Sequence, residues 1–203
     1  MSTNIINRAL IKIGEPSILS IEQTPHGAMM GVLYDDFRKT LLSSHFWRFA
    51  IKRATLAQVD TDTNSTTFNY AYALPKDFLT LKDFGEGYKI PNQSSAILGS
   101  DARYSIENSN LLCRENNGVT ITYVADIKDT SLFTPLFREA LVALIAAEAS
   151  VRIKNSPQLK QLFMTEFDTY LNQARVNNEI MRDMETMPDN TWVTCREGWE
   201  GEY

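Results

Sequence analysis

Two helix starts of the same kind frame the stretch TPLFREALVALIAAEASVRIKNSP, residues 134–157. Thr134-Pro135 and Ser156-Pro157 each place a capping residue before a proline at the first helical position. The residues between them are apolar and rich in alanine, which predicts a fully buried helix to about Asn155. A longer amphipathic helix follows to about Met187, where Pro188 ends it. Because the link between the two helices is short, they are expected to pack antiparallel.

Two shorter helices are predicted at the start of the chain. Residues 4–13 carry apolar side chains at helical spacing and are followed by Gly14, a helix stop. Thr24-Pro25 then begins a second helix to about Ser44. The apolar stripe predicted for that second helix consists of Ala28, Met29, Val32, Leu33, Phe37 and Leu41. The aromatic segment 45–50 after it is expected to be a buried crossing.

Alternating apolar residues replace the helical period between about 68 and 127 and predict a small antiparallel sheet. Asn116-Asn117-Gly118 lies between two apolar runs, 111–113 and 119–121, and is a typical hairpin turn. The predicted fold class is α+β, an antiparallel helical bundle with a β-rich antiparallel insertion and an extended C-terminal arm. The segments are 1–59 for the N-terminal helices, 60–130 for the insertion, 131–187 for the C-terminal helices and 188–203 for the arm.

Composition and charge exclude several classes of protein. The 203 residues are 43% hydrophobic and 22% charged, which is typical of a globular domain. A formal net charge of -5 argues against binding nucleic acid through its phosphates. No membrane span is expected, because the longest apolar run, 140–147, is far below the ~20 residues required. No signal peptide is expected either, since Arg8 and Lys12 interrupt the first apolar pattern, so synthesis in the cytoplasm is predicted.

The residues that could carry chemistry form no convincing site. Asp60-Thr61-Asp62-Thr63-Asn64 begins like a calcium loop but lacks the required glycine and the bidentate glutamate. Gly85-Glu86-Gly87 lacks the third glycine of a nucleotide fingerprint. His26 and His45 are the two histidines, and Asp35-Asp36 diverge on a helix rather than pairing. Cys113 and Cys195 have no neighbouring cysteine. The sequence therefore predicts no enzyme, no cofactor and no metal.

Large aromatic residues stand beyond the last proline, among glutamates and outside any regular element. Exposed aromatics of this size are enriched at protein interfaces. The alternative is that this segment folds back onto its own bundle. The candidate interface residues, toward a partner subunit or another protein, are Trp192, Val193, Trp199 and Tyr203.

Three patterns in the first 80 residues resemble the tail tubular protein A family of short-tailed bacteriophages. They are a helix ending in Ile13-Gly14-Glu15-Pro16, the crossing Trp47-Arg48-Phe49-Ala50 with Arg53, and the strand Tyr70-Ala71-Tyr72-Ala73-Leu74-Pro75-Lys76-Asp77-Phe78-Leu79. The second pattern follows a helix that contains Tyr34-Asp35-Asp36-Phe37-Arg38. Members of this family are head-to-tail adaptors, and none of the three patterns is catalytic.

The resemblance implies a structural protein of the virion, located at the head-to-tail junction of the tail. It implies a homo-oligomeric ring, a dodecamer, on the portal protein, with a tail nozzle protein docked below and tail fibres or spikes at the junction. DNA would pass through the channel without specific binding, which suits an acidic chain. Two alternatives stay open: a tail-associated cell-wall hydrolase, which would need a catalytic constellation, and an interaction module that has no portal partner.

Overall fold

The computed structural model describes residues 2–59, 68–85, 104–115 and 118–181. Its α-helices and β-strands confirm the predicted α+β class, with helices at both ends of the described chain and strands between them. The helices are α1 (Ser2–Ile13), α2 (Pro25–Ser43), α3 (Pro135–Lys154) and α4 (Pro157–Ile180). The strands are β1 (Ile51–Thr55), β2 (Gln58–Val59), β3 (Tyr70–Ala73), β4 (Phe78–Phe84), β5 (Tyr104–Glu107), β6 (Asn110–Cys113) and β7 (Thr120–Ala125).

The predicted starts of α2, α3 and α4 and the predicted stops of α1 and α3 are confirmed, whereas α4 ends at Ile180 rather than near Met187. The Thr24 hydroxyl accepts a hydrogen bond from the Gly27 N–H (3.0 Å), and the Ser156 hydroxyl accepts one from Leu159 (3.4 Å). Thr134 precedes α3 without a side-chain cap bond. α1 stops at Gly14, whose φ of 81° is a left-handed conformation that glycine adopts without strain.

Helix α3 is the centre of the bundle and packs against α1, α2 and α4. Side chains all around its middle are buried, as its alanine-rich sequence predicts, because small residues allow close approach of several neighbours. Its buried residues are Phe137, Ala140, Leu141, Val142, Ala143, Ile145, Ala146, Ala147, Ala149 and Ser150.

The prediction of a buried aromatic crossing after α2 is confirmed in part: Trp47 and Ala50 are buried, but Phe46 is 44% exposed. Trp47 is fully buried, its Nε1–H donates to the Leu41 carbonyl (2.8 Å), and its ring meets Phe137 edge-on at 5.0 Å. The chain then enters β1 directly at Ile51. Strands β1 and β2 therefore lie within segment 1–59, before the loop at residue 60 where the strands were expected to begin.

The strands form two antiparallel sheets rather than one. Their orders are β1-β7-β4 and β2-β3-β6-β5. The predicted hairpin between residues 111–113 and 119–121 is wrong, because β6 and β7 belong to different sheets. Each is a central strand whose two edges already pair with other strands, so neither has an edge free for the other. The β5–β6 hairpin forms instead, through Asn108 and Ser109 at positive φ.

The stripe predicted for α2 is confirmed only in part: Leu41 is buried and Met29 and Phe37 pack against the core, but the buried face of the helix is centred on other residues. Val32 is 64% exposed and Ala28 is exposed, while Met29, Leu33 and Phe37 are half-buried. Contacts from outside the helix explain the difference. Residues 18–21 pack on its first turns. Arg38 is buried because it donates a hydrogen bond to the Ile127 carbonyl, just after β7. The buried residues of α2 are Gly27, Met30, Tyr34, Arg38, Leu41 and Leu42.

Candidate interaction surfaces

The predicted interface residues, Trp192, Val193, Trp199 and Tyr203, lie outside the described residues. The acidic loop 60–64, residues 86–87 and Cys195 also lie outside them. These predictions stay predictions. Gly85 is described, and its φ of 71° fits the turn expected at that point.

The two histidines are held at opposite ends of α2. His26 is exposed in the first turn, and His45 follows the last turn. The 19 residues of the helix separate them by roughly 28 Å at 1.5 Å per residue. They do not form a joint catalytic site.

His45 belongs to a polar clamp at the C-terminal end of α4. Its Nε2 lies 3.1 Å from Nδ2 of Asn178 and 3.3 Å from a carboxylate oxygen of Glu179. Asn178 also accepts from the Arg48 N–H (2.9 Å) and donates to the Phe46 carbonyl (3.2 Å). Burial lowers the pKa of His45, and the nearby Glu179 opposes that effect. The clamp fixes the end of α4 to the aromatic crossing.

Asp35 and Asp36 are both exposed on α2, and Asp35 lies 3.3 Å from Arg38. Arg38 itself is buried and forms an ion pair with Asp126, just after β7, while donating to the Ile127 carbonyl (3.0 Å). This buried charge pair ties α2 to the first sheet. Sequence reasoning missed it; the only available signal was that Arg38 continues the spacing of the buried residues of α2.

Within residues 2–59, 68–85, 104–115 and 118–181, no three His, Cys, Asp or Glu side chains are grouped as metal ligands. None of the helices in those ranges is both long and apolar enough to span a membrane.

Helix α4 carries an exposed stripe without any charge, here called the α4 stripe. Its members recur every three or four residues over about 33 Å of helix, so they share one face. Leu162, Val176 and Ile180 are 55%, 60% and 74% exposed. The α4 stripe consists of Gln158, Leu162, Thr165, Thr169, Gln173, Val176 and Ile180.

A second uncharged surface, the α2 face, covers the N-terminal half of α2. It consists of the exposed Ala28 and Val32 with the half-buried Met29 and Leu33. Leu19, in the segment that packs on this helix, is 90% exposed. The sequence pattern placed Ala28, Met29, Val32 and Leu33, but not Leu19, in the predicted apolar stripe of the helix. Apolar residues grouped on a surface mark contact sites.

The α2 face and the α4 stripe lie on different sides of the bundle. Both helices pack against α3, and their own mutual contact is marginal. The α4 stripe is exposed at every member, and the α2 face is exposed at Ala28 and Val32. The molecule thus presents two different uncharged surfaces in a chain of which 22% is charged.

A cleft of about 280 Å³ opens between α1 and the start of α3. Its charged lining residues are Arg8 and Arg138, and its uncharged polar ones are Asn4, Thr130 and Ser131. Arg8 forms an ion pair with Glu139. Among the described residues, Arg138 has no ion-pair partner, and its Nε, shielded from solvent, has no hydrogen-bond acceptor. The cleft is suited to an anionic group.

The chain matches no protein-family model, and no similar protein was found among the curated proteins.

Proposed function

We propose that this chain is a subunit of the head-to-tail adaptor of a short-tailed bacteriophage, a structural protein of the virion and not an enzyme. The observation that carries the proposal is the pair of different uncharged surfaces, the α2 face and the α4 stripe. It is supported by the resemblance of the first 80 residues to the tail tubular protein A family.

Two different surfaces on one subunit suit a ring. When one patch of a subunit binds a different patch of the next, the contact repeats head to tail, and it closes into a ring if the rotation allows. In this proposal the α2 face of one copy contacts the α4 stripe of the next. Both surfaces lack charge, so their burial removes no unpaired ion from water.

The proposed partners follow from the resemblance. The ring binds the portal protein on one side and the tail nozzle on the other, with tail fibres or spikes at the junction. Packaged DNA passes through the ring without being held, consistent with a net charge of -5. Trp192, Val193, Trp199 and Tyr203 remain the candidate anchors toward the portal or a neighbouring subunit.

Electron microscopy of the chain mixed with the portal ring of the same phage tests the proposal. We expect a new ring of density on the narrow end of the portal, absent from each component alone. Val32→Glu and Val176→Glu, which each place a charge in one of the two surfaces, are expected to remove that density. Gln161→Glu, an exposed change on α4 beside the stripe, is the matched control and should preserve it.

Two results of this experiment would count against the proposal or against part of it. If both wild-type components are folded and no density is added to the portal, the adaptor function is wrong. If the density survives both glutamate variants, the ring forms through surfaces other than the α2 face and the α4 stripe.

A further inference from the structure

The side-chain amide of Asn178, near the end of α4, is held in one orientation by the main chain of the aromatic crossing. Asn178 is buried, with 7% of its surface exposed. Its Oδ1 accepts from the Arg48 N–H (2.9 Å), and its Nδ2 donates to the Phe46 carbonyl (3.2 Å). A reversed amide would place donor against donor and acceptor against acceptor, so only this orientation is compatible with the crossing. Nδ2 therefore has one further hydrogen to donate.

The ring of His45 receives that hydrogen. Its Nε2 lies 3.1 Å from Nδ2 of Asn178, which is a hydrogen-bond distance. Because Nδ2 can only donate, Nε2 must accept, and a ring nitrogen accepts only when it carries no hydrogen. The fixed amide of Asn178 thus selects the neutral form of His45, with the ring hydrogen on Nδ1.

The same ring nitrogen has a second neighbour of the opposite kind. A carboxylate oxygen of Glu179 lies 3.3 Å from Nε2 of His45, and a carboxylate can only accept. Once it is protonated, Nε2 can donate to Glu179 but can no longer accept from Asn178. Glu179 is exposed, so its ion pair with the ring adds little stability. Nε2 therefore has a different partner in each protonation state, and the partner of the neutral state is the one that joins α4 to the crossing.

Burial and nearby charges both act on the protonation of His45. Burial has the largest effect and lowers its pKa from the ordinary value of 6.5. From α4, Glu179 favours the protonated ring and Arg175 opposes it. The crossing carries one other charged residue, Arg48, which is exposed, and Trp47, which meets the ring edge-on at 4.9 Å, is uncharged. Because the pKa is lowered in the folded chain, the stabilisation is present above pH 6.5 and is lost as the pH falls through the folded value.

We propose that the polar clamp at the end of α4 is a pH-sensitive switch operated by His45. The neutral ring accepts from Asn178 and completes the contact between α4 and the aromatic crossing. The protonated ring donates to Glu179 instead, leaves a buried N–H of Asn178 without its acceptor and loosens the last turns of α4. Val176 and Ile180 of the α4 stripe lie in those turns, so acid also alters that end of the stripe. The inference concerns the isolated chain and does not rest on the adaptor function.

Nitrogen NMR of the full-length chain, labelled at histidine, tests the protonation of His45. At about pH 8 the ring hydrogen is expected on Nδ1, with Nε2 bare. His45→Gln identifies the signals, because they are absent from its spectrum. Glu179→Gln removes the carboxylate that favours protonation, so the His45 titration should shift to lower pH. A hydrogen on Nε2 at about pH 8, or a titration unchanged in Glu179→Gln, overturns the inference.

Amide hydrogen exchange measures whether protonation loosens α4. Between about pH 7.5 and pH 5, protection factors in residues 174–181, corrected for intrinsic exchange, should fall about fivefold, as expected for one lost buried hydrogen bond. His45→Gln, whose side-chain oxygen accepts at either pH, should abolish this fall. His26→Gln, a change at the exposed histidine of α2, is the matched control and should preserve it.

Three results of the exchange experiment overturn the inference. They are the absence of a fall in the wild type, a fall that persists in His45→Gln, and an equal fall in residues 161–165, nearer the start of α4. The last comparison is made within the wild-type chain, so it decides the matter even if His45→Gln does not fold. Circular dichroism checks the folding of each variant.

Discussion

At the scale of single residues, Arg38 and Asp77 each connect parts of the chain that are distant in sequence. Arg38 on α2 is buried and pairs with Asp126, 88 residues later. Asp77 accepts from Lys52 of β1 (2.6 Å) and from the Tyr123 hydroxyl of β7 (2.9 Å). Both groups are therefore structural, and each gives a prediction about stability.

Arg38→Met should lower the free energy of unfolding by about 3 kcal/mol, because it leaves the Asp126 carboxylate largely buried without its partner. Urea denaturation followed by circular dichroism measures this change. Lys39→Met, at the exposed neighbouring position, should change it by less than about 0.5 kcal/mol. The double variant Arg38→Met with Asp126→Asn should recover part of the loss. If the double variant is less stable than Arg38→Met alone, the uncompensated charge is not the cause.

The lowered pKa of Asp77 predicts how the free energy of unfolding depends on pH in the acid range. The hydrogen bond from Lys52, followed by that from Tyr123, holds the pKa of Asp77 below its ordinary value of 3.8. A lowered pKa in the folded state stabilises the protein above the ordinary value and ceases to do so as the pH falls through the folded value. Asp77→Asn should therefore reduce the loss of stability between about pH 5 and pH 2.

Denaturation midpoints in urea at several pH values measure this effect, with Asp36→Asn, an exposed change on α2, as the control. Equal pH dependence in the wild type and in Asp77→Asn would contradict the assignment.

Tyr123 predicts how stability depends on pH in the alkaline range. Its burial, followed by its hydrogen bond to Asp77, raises its pKa to about 12. Its neutral form is thus favoured in the folded state, and stability should fall as the pH rises from about 10 toward 12.

At the scale of elements, the orientation of α2 shows how a neighbouring segment overrides a helical pattern. Gly27 sits where a Cβ would lie 2.5 Å from the Ile21 carbonyl oxygen and 2.9 Å from the Ile18 side chain. The segment 18–21 can pack this closely only because Gly27 has no side chain. That contact, together with the Arg38 pair, turns the apolar residues of the α2 face outward.

Gly27→Ala should destabilise the protein by about 1–3 kcal/mol, although alanine favours helix by about 1 kcal/mol over glycine. Thermal denaturation measures the change. Gly31→Ala is the comparison, because the Cβ there would meet only the Ile21 Cγ2 methyl, at 2.7 Å, which can shift more easily than backbone. We expect a smaller loss for Gly31→Ala. Equal stability of Gly27→Ala and the wild type would show that the segment is free to move away.

At the scale of the whole molecule, the bundle and the two sheets leave two unlike surfaces uncovered. The α2 face and the α4 stripe both lack charge and lie on different sides of α3. If one of these surfaces bound its own kind, that contact would close with two chains. If each binds the other, the contact repeats and leads to a ring.

Mixing variants distinguishes these modes of association. Each single variant should stay monomeric at concentrations where the wild type assembles on the portal. Val32→Glu alters the α2 face and Val176→Glu alters the α4 stripe, so each variant lacks one of the two surfaces that form the contact. An equimolar mixture retains one intact contact per pair of chains, so a weak dimer and no ring is expected. Analytical ultracentrifugation measures this. Dimers of either variant alone would mean that like surfaces pair, against the proposed head-to-tail contact.

The structural features that depend only on residues close together in sequence were predictable. Caps at Thr24 and Ser156, stops at Gly14 and Asn155 and the buried character of α3 follow from local backbone chemistry, and the structure confirms them. The α+β class follows from the change of hydrophobic period along the chain. The acidic charge and the aromatic residues of the arm were also evident, although the arm lies outside the described residues.

The features that depend on distant partners were not predictable. The buried face of α2 depends on Ile21 and Asp126. The strands β6 and β7 do not pair with each other because other strands pair with both of their edges. The Arg8–Arg138 cleft joins residues 130 positions apart. Periodicity shows that a helix is amphipathic, but burial, charge pairing and strand order result from competition among all segments for the same contacts. That competition is settled only when the chain is folded.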